Sequence, residues 1–247
     1  MNYNEQHAYP DEVRVLDYTP VAHLDAQARL AFYRKVYSLF FLGFLVLTGF
    51  AFLGLELIRQ GALPLQFIYG GAIVLMVLSW FSNRAIQSRK AGLAMMFFYA
   101  AIAGLTIAPL LAIAIVIAVG KGIHPFAIVG QAFGLTTLAF GGLTAYVFIT
   151  KEDFSYLGGF LAITGMVFLG LVIAVWVGLI QLTGTFDLIF TLAMIGFISL
   201  SVLYDTSNII HYFGEEHTVF AAFQLLMSFF VMLWYILRLL LILSSDR

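Results

Sequence analysis

The sequence predicts an all-α membrane protein, a seven-transmembrane-helix bundle with almost no soluble domain. Three observations carry that expectation. Of 247 residues, 62% are hydrophobic and 10% charged, with a mean hydropathy of +1.01, whereas a soluble domain carries roughly a quarter charged residues. The uncharged runs are too long for buried core helices and match the roughly 20 residues that cross hydrocarbon at about 1.5 Å each. Every interruption between them holds a charge, a glycine or a proline, the residues that end or turn helices.

Composition also excludes several classes. The net charge is −1 and no dense Lys/Arg block occurs, so nucleic acid is not an expected partner and the lipid bilayer is. The chain has no cysteine, which removes disulfides, thiolate metal sites and thiol nucleophiles. Residues 1–33 read as a polar N-terminal tail of mixed charge, broken by Pro10 and Pro20, and residues 34–247 as the transmembrane domain. The first apolar run starts only near Val36, too late for a cleaved secretory signal. Asp25 has the side chain to cap a short helix over 26–35 that feeds the first span.

The spans follow from the breaks: 36–58, 63–83, 92–119, 124–149, 155–180, 186–211 and 219–243. Arg59, Gln60, Gly61 and Pro64 form the first turn; Arg84, Arg89 and Lys90 mark the second; Lys121, Gly122, His124 and Pro125 the third. Lys151, Glu152 and Asp153 make the fourth, residues 181–185 the fifth, and residues 214–217 the sixth. Pro109 lies inside the third span, where it removes a backbone donor and bends the helix. With the N-terminus cytoplasmic, seven Lys and Arg (Arg29, Arg34, Lys35, Arg84, Arg89, Lys90, Lys151) lie inside and four (Arg59, Lys121, Arg238, Arg247) outside, so the positive-inside rule places the C-terminus outside. Gly43, Gly49, Gly70, Gly71, Gly141, Gly142, Gly158, Gly159 and Gly165 are expected to let helices approach closely. The 25 phenylalanines read as lipid-facing and interfacial packing.

Ionisable groups inside the spans are few, and each is a functional candidate because a charge in hydrocarbon costs at least a few kcal/mol. Asp205 is the sharpest case, about 9 Å from the end of the sixth span by helical rise. Asn208 follows one turn on, so an amide and a carboxyl share a face. Burial and a nearby cation act on such a carboxyl in opposite senses, the balance that a proton-responsive gate requires. A permanently paired structural residue is the alternative. Arg84, at the same end of the second span, is the expected cationic partner, with Arg89 as substitute. Glu56 and Arg59 are placed at the outer end of the first span, paired or facing water. Arg238 is expected to snorkel to the outer interface, and Asp187 to sit at a helix start, stabilised by the dipole. His211, Glu215 and His217 crowd the last inner turn and are a candidate for a divalent metal, although their spacing matches no helical metal motif and solvated loop residues are the alternative. No phosphate loop, His-Glu-x-x-His or nucleophile elbow occurs, so no enzyme activity and no cofactor are expected.

The segment Leu203–Tyr212 (LYDTSNIIHY), Ala221-Ala222, Arg238 in an apolar last helix and the end Leu243-Ser244-Ser245-Asp246 resemble the Bax inhibitor family, as do Thr144–Val147 and Asp153–Gly159 upstream. The resemblance covers nearly everything after the tail. It implies six helices around a central seventh, and a pH-sensitive calcium leak controlled by aspartates on the sixth and seventh helices with an arginine latch on the second. Calcium would then be a permeant ion rather than a cofactor. Asp205 matches the first aspartate. Where the family commonly has the second, with an Asn three residues later, this chain has Ser228 and Val231. A carboxyl and a hydroxyl cannot titrate as a coupled pair. That Ser, together with Thr206–His211, is similar to the bacterial YccA-like branch, which implies a bacterial inner-membrane protein that modulates the FtsH quality-control protease; a cytoplasmic tail such as residues 1–33 is physically what such a protease could engage. Asp205, Ser228 and Asn208 are the expected ion or pH gate.

Overall fold

The computed structural model describes residues 19–64, 67–85, 89–181 and 183–245, with side chains except at 68–69, 80–85, 176 and 245. The described residues form seven α-helices: α1 (Ala26–Arg59), α2 (Phe67–Ala85), α3 (Arg89–Gly120), α4 (Ala127–Thr150), α5 (Leu157–Trp176), α6 (Gly184–His211) and α7 (Thr218–Ser245). Short 3-10 turns precede α1 (Val21–His23) and α7 (Glu215–His217). Six of the helices are long and apolar enough to cross a membrane; the apolar stretch described in α2, Gly70–Ser79, is shorter.

Helix boundaries follow local chemistry. Asp25 accepts a hydrogen bond from the Ala28 N–H at 2.7 Å and caps α1 as expected. The 26–35 helix and the first span are one continuous helix of 34 residues, because Phe32 and Val36 are both buried and carry the packed stripe across the expected junction. α3 runs unbroken through a buried Pro109. α4 ends on Lys151 in the left-handed conformation (φ 54°), the one non-glycine with positive φ among the described residues. That conformation costs about 1–2 kcal/mol and turns the chain into the loop that carries Asp153.

α7 packs against α1, α3, α4 and α6, while α5 packs on α6. α3 and α7 carry the most buried windows, and α5 the least buried one, its residues half-buried or exposed almost throughout. Leu138 and Ile149 are 74% and 80% exposed. An apolar surface of this extent fits hydrocarbon as the surrounding solvent. The phenylalanines serve the interior as well as the lipid face: Phe229 on α7 meets Phe40 and Phe44 of α1 and Phe133 and Phe140 of α4 at ring-centroid distances of 5.4–6.2 Å.

Close approach depends on fewer glycines than expected, and partly on others. A Cβ on Gly104 would overlap the Leu47 carbonyl, and one on Gly71 the Thr106 side chain. Gly43 lies under Leu226, and Gly158 under Tyr204. Gly49, Gly70, Gly141, Gly142 and Gly159 face open space.

One end of the bundle, the proximal end, holds the start of α1, the α4–α5 loop and the α6–α7 loop. The first described residues, from 19 onward, belong to the stretch read as a polar tail. Val21 is fully buried, and its N–H donates to the Phe213 carbonyl at 2.7 Å, strapping the segment before α1 to the α6–α7 loop.

Candidate functional site at the α6–α7 interface

Asp205 lies six residues from the end of α6 and is 7% exposed. Its Oδ2 accepts the Ser228 hydroxyl at 2.6 Å and its Oδ1 accepts the Gln224 amide at 3.0 Å. Gln224 and Ser228 are four residues apart on α7, so one helical face supplies both donors. Among the described residues no cation lies within ion-pair distance of Asp205. Two neutral donors therefore hold this carboxyl between α6 and α7. Three buried oxygens on α4, α6 and α7 make no hydrogen bond among the described residues: Thr144 Oγ1, Thr206 Oγ1 and Gln224 Oε1.

The structure joins Asp205 and Ser228 and leaves Asn208 apart. Asn208 is half-buried and makes no side-chain hydrogen bond among the described residues; Gln224 takes the place expected for it, because the partner amide comes from the facing helix rather than from the next turn. The Arg84 side chain lies outside the described residues. Arg89 is exposed at the start of α3 and is not paired with Asp205. Sequence reading missed Gln224; its signal was an uncharged polar residue one turn before Ser228 in an otherwise apolar helix.

A second network closes the proximal end. Asp153, in the α4–α5 loop, accepts from the Tyr212 hydroxyl, from the Ser155 N–H at 2.9 Å and from the Ser207 hydroxyl at 3.4 Å. Ser207 in turn accepts the Phe154 N–H at 2.9 Å. The Tyr212 hydroxyl, and after it the Ser155 N–H, hold the Asp153 carboxyl below the usual carboxylate range. His211 Nδ1 lies 3.0 Å from the Ser207 carbonyl, so it turns toward its own helix instead of joining Glu215 and His217. His217 Nδ1 sits 3.2 Å from the Gly214 nitrogen and 3.4 Å from Glu216. Among the described residues no three His or acidic side chains converge as a metal site would require.

At the other, distal end the expectations for two residues are corrected. Arg238 does not snorkel alone and Asp187 does not only serve a helix start: Arg238 Nη2 and Nε reach the same Asp187 oxygen at 2.8 and 3.1 Å. The pair is 28% and 19% exposed, and packing of α6 on α7 brings it together. Glu56 and Arg59 pair at the surface at 2.6 Å. α6 and α7 are thus joined twice, by neutral hydrogen bonds proximally and by an ion pair distally.

Comparison with known proteins shows what the chain as a whole is similar to. The family described as "Inhibitor of apoptosis-promoting Bax1" matches residues 29–245. A Vaccinia virus "Golgi anti-apoptotic protein" is 30% identical over 239 residues, 89% of each chain. Mouse "Protein lifeguard 4" is 29% identical over 88% of this chain and 87% of its own. A Campylobacter jejuni relative of uncharacterised function is 30% identical over 72% of this chain and 74% of its own length. A Pseudomonas aeruginosa protein is 37% identical over 103 residues, less than half of either chain.

Proposed function

The chain belongs to the Bax inhibitor family, and from that premise we propose that it is a regulatory inner-membrane protein that restrains an FtsH-type membrane quality-control protease. In this reading all seven helices span the bilayer, α7 forms the centre, and the N-terminus lies in the cytoplasm. The protein performs no chemistry of its own. One observation carries the reading. Asp205 is held by a hydroxyl and an amide from α7 where a leak built on two carboxylates needs a second acid, and these neutral donors fix α6 against α7 in one arrangement. The strap at Val21 supports it further, because it fixes the segment just before α1 beside the α6–α7 loop, where a protease acting on the tail would meet the bundle.

The test is co-purification of the protein with the protease, and turnover of a protease substrate, for the full chain and for a chain lacking residues 2–18. That deletion spares Val21 and the Asp25 cap. Loss of the complex and release of turnover on deletion are expected. Unchanged co-purification and unchanged turnover would sink the reading.

Burial of Asp205 inside the bundle favours a second reading, a pH-sensitive calcium or cation leak gated by that residue. It predicts flux through the purified protein in liposomes between about pH 6 and pH 8 that loses its pH dependence in Asp205→Asn. Flux no higher than in protein-free liposomes would remove it.

A further inference from the structure

Cations that are far apart in the sequence meet at the proximal end. Arg34 and Lys35 of α1 and Arg89 at the start of α3 line one open cavity of about 1030 Å³. All three are exposed, and none has a carboxylate within ion-pair distance among the described residues. Glu215 and Glu216 also line the cavity, but Glu216 is engaged by His217 at 3.4 Å. Three cations against two acids leave the lining with an excess of one positive charge.

The lining is graded as well as charged. One helical turn beyond Lys35 stands Leu39, and beyond the polar 3-10 turn stands Phe220, both part of the same cavity. Both helices become apolar from that level onward. The cavity therefore straddles the step from charged helix ends to apolar helix. A phospholipid presents the same order, a phosphate outermost and then glycerol and acyl chain. Arg and Lys at this level bury their stems along apolar surface and keep their charge among headgroups.

We propose that this cavity seats the headgroup of an anionic phospholipid, with Arg34, Lys35 and Arg89 holding its phosphate and Leu39 and Phe220 bordering the glycerol and upper acyl chain. The site is separate from Asp205 and stands whether the protein restrains a protease or passes ions.

Native mass spectrometry of the delipidated full chain in detergent tests it, with phosphatidylglycerol, phosphatidylethanolamine and soluble glycerol phosphate as probes. Phosphatidylglycerol should be retained best, and about a hundredfold less tightly by the triple variant Arg34→Gln/Lys35→Gln/Arg89→Gln. Lys35→Gln and Arg89→Gln alone, on exposed side chains that leave the fold intact, should each weaken it about fivefold. Lys121→Gln, in the α3–α4 loop at the distal end, should leave it unchanged. Equal binding of phosphatidylglycerol by the wild type and by the single and triple variants would overturn the proposal. Binding of glycerol phosphate as tight as that of the lipid would also overturn it, showing a free-phosphate site.

Discussion

Ser228 on α7 donates its hydroxyl to Asp205 on α6 at 2.6 Å, and the carboxyl's other oxygen is taken by Gln224 one turn earlier. Removing either donor leaves a buried oxygen short of a partner. Ser228→Ala is expected to lower stability by about 1–3 kcal/mol, read from thermal unfolding in detergent. Ser228→Thr keeps the hydroxyl and should lose less. Equal losses in the two variants would mean that packing, not the hydrogen bond, is what Ser228 supplies.

The distal ion pair offers a contrasting case. Arg238→Gln strands the Asp187 carboxyl between α6 and α7 and should cost about 2–3 kcal/mol, whereas Asp187→Asn/Arg238→Gln should cost less than the sum of the single changes. A double-mutant cycle by thermal unfolding measures the difference. Additive losses would show that the two side chains do not act on each other.

Val21 is buried against the bundle although it belongs to a segment that is polar overall. Val21→Ala should loosen the strap by about 2 kcal/mol. Hydrogen exchange at the Val21 amide, which bonds to Phe213, should then quicken about thirtyfold while the helix cores exchange as before. Unchanged exchange at that amide would show that the side chain does not hold the strap.

The α4–α5 loop provides a pH prediction outside the spans. Asp153 titrates below its ordinary value because Tyr212 and Ser155 donate to its charged form. A carboxyl depressed in the folded state contributes stability above its unfolded value, near pH 4, and that contribution is lost as pH falls through the lower folded value. The clamp should therefore hold at neutral and mildly acidic pH and release only below about pH 4. Tyr212→Phe should move the Asp153 titration, followed by carboxyl carbon NMR, back toward its ordinary range. A titration that did not move would assign the shift to the other donors.

Glycines separate cleanly by what they face. Gly104→Ala should push α1 off α3 and lower stability, because the new methyl would meet the backbone of Leu47 and Ala51. Gly141→Ala, with nothing near it, should be neutral or slightly stabilising through helix propensity. Thermal unfolding of both variants decides this, and a neutral Gly104→Ala would show that the two helices can separate without loss.

Much of the architecture was legible because hydrocarbon imposes a one-dimensional rule: each span must be long, apolar and internally hydrogen-bonded. The helix breaks at Gly61, Gly122 and Lys151 are punctuation of that kind, and the observed helices begin and end close to them. The Asp25 cap was readable for the same reason, since it joins residues three apart. Asp205 was legible as a site from its cost alone. Its partners were not. Gln224 and Ser228 lie 19 and 23 residues from it, and helical periodicity pointed instead to Asn208 on its own helix.

The same division runs through the rest of the molecule. Residue order is enough to mark an all-helical membrane protein of the Bax inhibitor family with one costly acid in its sixth helix, since these properties depend on neighbours along the chain and on the surrounding solvent. The pairing of Arg238 with Asp187, of Ser207 with Asp153 and of Val21 with Phe213, and the meeting of Arg34 with Arg89 at one cavity, had to await packing of the helices. Which faces meet, and at what height, depends on the shapes of facing side chains, Gly104 under Leu47 or Gly43 under Leu226, and no period along a single helix encodes its neighbour.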